Sequence, residues 1–383
     1  MNSEKKFMQW IEIDKSALVS NISQFRRLVG EKTKLLAVVK ANAYGHGLGL
    51  VSQIALEAGV DWLGVNSVEE GVFLRRQEVK CPILILGYTP LNKLHEAVSN
   101  QLHLTVYNFE TLDKLARVCQ NLQQKAYLNL KIETGTYRQG IRAEDLLPFT
   151  EKANRYPQLV LEGISSHFAN IEDTTDHSYA QQQLENFRSI LNFLERHKVN
   201  IPLKHMSCTA AAILFPETYF KLVRIGIGMY GLWPSRETYL SSLLKHKNLL
   251  KLKPVLSWKA RVAQIKKVPK DSFIGYGCTY RTNRLTELAV LPVGYYDGYR
   301  RHLSNSGYVL IKGQRAPVRG RVAMNFIIVD ITDIAGVRLE EEAVLIGQSG
   351  QETITADYLA SLMGTINYEV VTSIGAHLPR LVV

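Results

Sequence analysis

Over its first two-thirds the chain alternates short apolar runs with amphipathic stretches of helical period, and this alternation restricts its fold more than any other feature. A buried strand is read at 35–39, and further strand candidates lie at 62–65, 83–86, 102–106, 126–132, 161–165, 203–205 and 222–225. Between them, Leu18, Ile22, Phe25 and Leu28 share one helix face, and 68–76, 110–119 and 179–194 also read as helices. Repeated strand–helix units imply a parallel sheet. About eight units over roughly 230 residues fit a closed (β/α)8 TIM-type barrel, whose catalytic groups sit at the C-terminal ends of its strands. An open doubly wound sheet is the alternative, weakened by the lack of a GxGxxG turn after the first strand.

The texture changes after about residue 240. Short β-branched or alternating runs at 262–268, 288–293, 308–311, 321–328 and 343–345 are separated by turn residues such as Lys312-Gly313 and the segment 347–350. They imply a mostly β C-terminal domain with one helix at 355–363. A length of 383 residues suits two domains. The expected division is 1–243 for the barrel and 244–383 for the β-rich domain, with about the first 13 residues candidates to pack with the latter.

The formal charge of +11 raises the question of nucleic acid. However, Lys and Arg are dispersed, and pairs such as Lys266-Lys267 and Arg300-Arg301 do not form a basic stripe with interleaved aromatics. Solvated charge with weak attraction for anionic ligands is the expectation, and no nucleic-acid partner. No apolar run approaches the ~18 residues of a membrane-spanning helix, so no membrane association is expected. The opening MNSEKKFMQW lacks the apolar run and cleavage site of a secretory signal. Cys81, Cys119, Cys208 and Cys278 have no zinc-like or disulfide-framework spacing, so no metal is expected and a cytoplasmic location is.

The segment AVVKANAYGHG, residues 37–47, carries the chemistry. An apolar strand delivers Lys40 to its C-terminal end, where partial desolvation would lower the ammonium pKa and free the amine for Schiff-base formation. By position alone, a strand-end lysine facing solvent is the commoner case. The whole segment, however, closely resembles the cofactor-lysine motif of alanine racemases. The resemblance extends over nearly the whole chain, from WIEIDKSALVSNI to MGTINYEV and the closing LPR.

That resemblance implies a pyridoxal-phosphate-dependent amino-acid racemase that interconverts L- and D-alanine by two-base proton transfer at Cα. It implies Lys40 as Schiff-base residue and first base, and Tyr276, in IGYGCTY, as second base supplied by the partner subunit of a homodimer with composite active sites. His167, in GISSHFAN, would pack on the cofactor ring and bond the catalytic tyrosine. Arg224 would face the pyridine nitrogen, while Tyr44, Thr209, Gly226 and Ile227 would hold the phosphate. Arg138 would approach the cofactor phenol oxygen and the substrate carboxylate, and Tyr295 and Met324 would line the substrate end. Lys131 matches a lysine often carbamylated in the family, and an unmodified lysine is the alternative.

Departures from the family cluster at the site. Glu133-Thr134-Gly135-Thr136-Tyr137 replaces the usual aspartate-threonine-glycine-methionine run. Cys208 stands for asparagine and Asn325 for aspartate. Ala376 and His377 stand for tyrosine and arginine. A methyl in place of a ring near the substrate implies relaxed specificity, extending to serine or a larger amino acid. Other readings are a decarboxylase on the same plan, with Cys278 in the relevant loop, and a non-catalytic pyridoxal-phosphate-binding protein. The complete second domain with its Tyr276 loop weighs against the latter.

Overall fold

The computed structural model describes residues 7–245 and 250–383. The chain forms two compact units. The larger, comprising Ala17–Ala43 and Leu48–Lys253, is built on eight parallel strands. In chain order they are Lys34–Val38, Trp62–Val65, Ile83–Ile85, His103–Val106, Ala126–Lys131, Leu159–Ser165, Leu203–His205 and Leu222–Ile225. Each pairs with the next through Leu203–His205, and Leu222–Ile225 pairs with the first. Two backbone bonds, Lys221 N–H to Lys204 O (3.0 Å) and Arg224 N–H to Ser207 O (3.2 Å), join the remaining neighbours. The expected barrel is therefore present.

Its strands form where apolar side chains run continuously, because they are covered on both faces. Leu35, Leu36, Ala37 and Val38 are all buried. The helices bury one stripe each: Lys15–Val29 buries Leu18, Ile22, Phe25 and Val29. Phe25 is wholly enclosed, so Phe25→Ala would cost about 3–5 kcal/mol. Helix starts are marked by caps. Ser67 Oγ accepts from Glu70 N–H ahead of Val68–Arg76, and Asn108 Oδ1 from Thr111 N–H ahead of Phe109–Leu122.

The second unit comprises residues up to Ser16, Tyr44–Gly47 and Pro254–Val383. Its larger sheet places Gln9–Ile13 between Leu256–Arg261, antiparallel, and Arg380–Val382, parallel. The sheet continues through Glu342–Ser349 to the hairpin of Tyr308–Ile311 and Gln314–Pro317. That hairpin turns at Lys312 (φ 51°) and Gly313 (φ 74°), the positive pair that a two-residue hairpin loop requires. Gln264–Val268, Thr286–Leu291 and Ile327–Asp330 form a smaller antiparallel sheet. Helix Ala356–Met363, capped by Thr355, ends at left-handed Gly364. A second helix, Asn367–Thr372, was not expected.

Two strand expectations need correction. The run expected at 262–268 begins as a strand at Gln264 rather than at Val262. Val262 N–H bonds Glu341 O and Ala263 N–H bonds Val290 O, so the chain changes sheets there. The run 321–328 becomes a strand only at Ile327. Its first part serves a neighbouring turn instead: Ala323 O and Met324 O accept from Tyr295 and Tyr296 N–H, each over 3.0 Å. Among the described residues, no helix is long and apolar enough to cross a membrane.

Candidate active site

The C-terminal ends of the barrel strands gather most of the singled-out residues. Lys40 follows the first strand, Lys131 ends the fifth, His167 follows the sixth and Thr209 the seventh, while Arg224, Gly226 and Ile227 belong to the eighth and its exit.

Lys40 opens an unusual turn. Ala41, Asn42, Ala43 and Tyr44 all have φ of 52–54°, four consecutive side-chain-bearing residues in the left-handed region. Such a conformation costs about 1–2 kcal/mol per residue, so it needs external support. Glu70 supplies part: its Oε1 accepts from Ala41 N–H and its Oε2 from Asn66 N–H, both over 2.7 Å. Asn42 Oδ1 accepts from Leu48 N–H over 2.9 Å. Burial pushes the Lys40 pKa below its ordinary value, and the Arg138 charge pushes the same way against the pull of Glu70. The strand-end lysine is therefore a partly desolvated amine.

Arg138 rides on a loop shaped by Glu133, whose Oε1 accepts from Gly135 N–H (2.6 Å) and Thr136 N–H (2.7 Å). This loop closes where Gly140 packs too tightly on Glu133 for any Cβ (2.4 Å). The glutamate thus turns the chain ahead of Arg138. Lys131 is driven well below an ordinary lysine pKa by burial, then by the charges of Arg224 and Arg138.

Arg224 is almost fully buried and its terminal nitrogens are taken up by the protein. Nη1 donates to His205 Nδ1 (2.6 Å) and to His205 O (3.3 Å). Nη2 donates to Met206 O (2.9 Å) and Ser166 O (3.0 Å), with His167 Nδ1 at 3.4 Å. Among the described residues no acceptor meets its Nε–H, so one donor of this group remains for a ligand. Burial draws its pKa down to about 10, which still leaves it charged near neutrality.

Because an arginine can only donate, His205 Nδ1 is an acceptor and the ring is neutral with its proton on Nε2. That proton points along the 3.2 Å contact to Asn129 Oδ1, and Asn129 Nδ2 donates to Glu162 Oε2 (3.2 Å). His103 Nδ1 meets the same carboxylate oxygen at 2.6 Å. Gly163 makes the room, since a Cβ there would lie 1.9 Å from Asn129 Oδ1. Sequence reasoning missed this series. Asn129 gave a signal, a polar residue between Leu128 and Leu130, whereas His205, next to Lys204, gave none.

Two neighbouring groups complete this end of the barrel. His167 is held neutral, its pKa pushed well down by burial and then by the charges of Lys131, Arg224, Arg138 and Lys40. Thr209 Oγ1 accepts from Gly226 N–H over 3.1 Å, so hydroxyl and amide already converge, next to Ile227.

Tyr44, Tyr276, Tyr295 and Met324 belong to the other unit. Tyr276 is 74% exposed on a tight turn between Gly275 and Gly277, both with positive φ. A Cβ on Gly277 would lie 2.8 Å from Arg321 Cζ, so the guanidinium backs this turn. Tyr295 and Met324 are brought together by the backbone bonds that replace the expected strand. Tyr44 packs near Tyr368, with ring centroids 6.1 Å apart.

Comparison with known proteins gives a consistent result. The family model "Alanine racemase, N-terminal domain" matches residues 13–234, and "Alanine racemase, C-terminal domain" matches 255–382. The alanine racemase of Halothermothrix orenii is 40% identical over 380 residues, covering 99% of this chain and 98% of the relative. That of Leptospira interrogans serovar Lai is 39% identical over 379 residues, covering 98% and 96%. Among solved structures, the alanine racemase from Bacillus anthracis with bound L-Ala-P superposes with a TM-score of 0.92 at 35% identity, covering 98% of this chain and 95% of that one.

Proposed function

The chain belongs to the alanine racemase family, and we propose that it interconverts L- and D-alanine using pyridoxal 5′-phosphate held on Lys40. It is an isomerase of the racemase type. The observation that carries the residue-level reading is the convergence of a desolvated Lys40 with Arg138, His167 and Arg224 at one end of the barrel.

The donor set suits that cofactor. An amine with a lowered pKa, a hydroxyl at Thr209, the backbone amides of Ile227 and of Gly226, the latter turned here onto Thr209 Oγ1, and a free Arg224 Nε–H match an aldehyde, a phosphate and a ring nitrogen. Tyr44 adds a hydroxyl for the phosphate. When bound, the cofactor withdraws electrons from the substrate Cα–H bond. Arg224 donates and never accepts, so a ring nitrogen held by it would stay unprotonated and would withdraw electrons only modestly, which would restrain side reactions.

Lys40 Nζ and Tyr276 Oη act as the two bases, one taking a proton from Cα and the other returning one on the opposite face. Arg138 pairs the substrate carboxylate, with Tyr295 and Met324 lining the substrate end. Tyr276 reaches the site of a second copy, making the working unit a homodimer. The lowered pKa of Lys131 suits capture of carbon dioxide by its free amine as a carbamate with release of a proton, and the anion formed would feel the charges of Arg224 and Arg138. Four free thiols suit a reducing cytoplasm.

Borohydride reduction of the cofactor-loaded protein followed by peptide mapping tests the central assignment. The adduct is expected on Lys40, and an adduct on another lysine would overturn the assignment.

A further inference from the structure

The left-handed turn after Lys40 is supported on its upstream side by Glu70 and Asn42. Its downstream end is held differently. Gly45 (φ 83°) lies so close to the helix Asn367–Thr372 that a Cβ would come within 2.0 Å of Val371 O. Its carbonyl accepts twice from one guanidinium, Arg380 Nη2 at 2.8 Å and Arg380 Nε at 3.2 Å. The same side chain donates from Nη1 to Leu378 O (2.6 Å) and Gly375 O (2.7 Å), and from Nη2 to Ile374 O (3.4 Å).

Every acceptor of this arginine is a backbone carbonyl. Its planar fork is thus spent on shape: it ties one carbonyl of the Lys40 turn to three carbonyls of the segment 374–378. Lysine, with one nitrogen on a flexible stem, cannot reproduce that geometry. Tyr44–Gly47 accordingly cluster with the β-rich unit although the residues on either side belong to the barrel unit.

We propose that Arg380 is a positioning residue for the cofactor site: through Gly45 it holds the strained turn that sets the placement of Lys40 and Tyr44. The proposal rests on the reading of Lys40 as the cofactor residue. It also gives the C-terminal segment a role apart from Tyr276.

The test uses the full-length chain with R380K and R380Q. In the cofactor-free protein, amide hydrogen exchange at residues 41–47 should quicken in both variants, by more than any change at the barrel strands. In the loaded protein, the visible absorption band should shift its pH dependence and cofactor should bind about tenfold more weakly, the value of one charge-assisted hydrogen bond. R380K should resemble R380Q, because charge without the fork does not restore the turn. Folded variants with wild-type exchange at 41–47 and a wild-type band would overturn the proposal, as would full rescue by lysine. Should R380Q fail to fold, R380K carries the same comparison. A wild-type protein whose reduced adduct lies away from Lys40 would overturn the functional reading itself, a result distinct from either.

Discussion

Arg224 Nη1 donates to His205 Nδ1 over 2.6 Å, and that single bond fixes the tautomer of His205, from which hydrogen bonds run through Asn129 to Glu162. His205 must be neutral to accept, and its pKa is accordingly pushed well down by burial and then by the charges of Arg224 and Lys131. The arginine proposed to meet the cofactor nitrogen is thus oriented by His205 and, behind it, by Asn129 and Glu162. His205→Phe leaves one N–H of Arg224 Nη1 and the side-chain oxygen of Asn129 without these partners. It should cost about 1–3 kcal/mol in urea unfolding and lower kcat more than it raises KM.

The same histidine gives an expected pH dependence of stability. Its folded pKa lies below its unfolded value of about 6.5, so between the two the unfolded chain binds the extra proton. Its contribution is fully present above pH ~6.5 and is lost as pH falls toward the folded pKa, at up to about 1.4 kcal/mol per pH unit. In denaturant melts between neutral and mildly acidic pH, His205→Gln should have a shallower acid slope than wild type. An unchanged slope would show that His205 does not contribute.

Arg138 is one of the two causes that lower the Lys40 pKa, after burial. Removing its charge in R138Q should raise that pKa toward the ordinary lysine value. At a given pH less free amine is then available, and the rate of cofactor uptake by cofactor-free protein should need a higher pH. Stopped-flow uptake across pH measures this, and a profile unmoved or moved to lower pH would contradict it.

Ala376 stands where the family carries a ring and is exposed in the isolated chain. Alanine is the expected substrate, with serine and slightly larger amino acids turned over as well. A376Y should narrow this range, changing the ratio of kcat/KM values between alanine and the larger substrate by about 10- to 200-fold, the scale of one methylene in an apolar pocket. Chiral chromatography of a substrate panel reads the ratio. A wild-type protein already strict for alanine would defeat the idea.

Much of this was legible in the sequence because burial on both faces writes a plain pattern. The runs around Leu36, Leu63 and Leu84 became barrel strands within a residue or two, and AVVKANAYGHG marked Lys40. What escaped was set by partners distant in the chain. Residues 321–326 look like a strand by composition, yet their carbonyls are claimed by Tyr295 and Tyr296. Four left-handed residues after Lys40 are supported by Glu70 and Asn42 rather than made by glycine, which takes positive φ only afterwards, at Gly45 and Gly47. Nothing in the sequence pairs His205 with Asn129, which meet only in the folded barrel.

The central claim is that Lys40 and Tyr276 act as bases on opposite faces of Cα. The most direct measurement follows L-alanine in deuterium oxide with wild type and Y276F, both verified to carry cofactor on Lys40. Wild type should form D-alanine bearing deuterium at Cα. Y276F should form it about 10²- to 10⁴-fold more slowly, the range lost with one general acid–base group, while retaining its cofactor. D-alanine formed by Y276F at close to the wild-type rate would contradict the account.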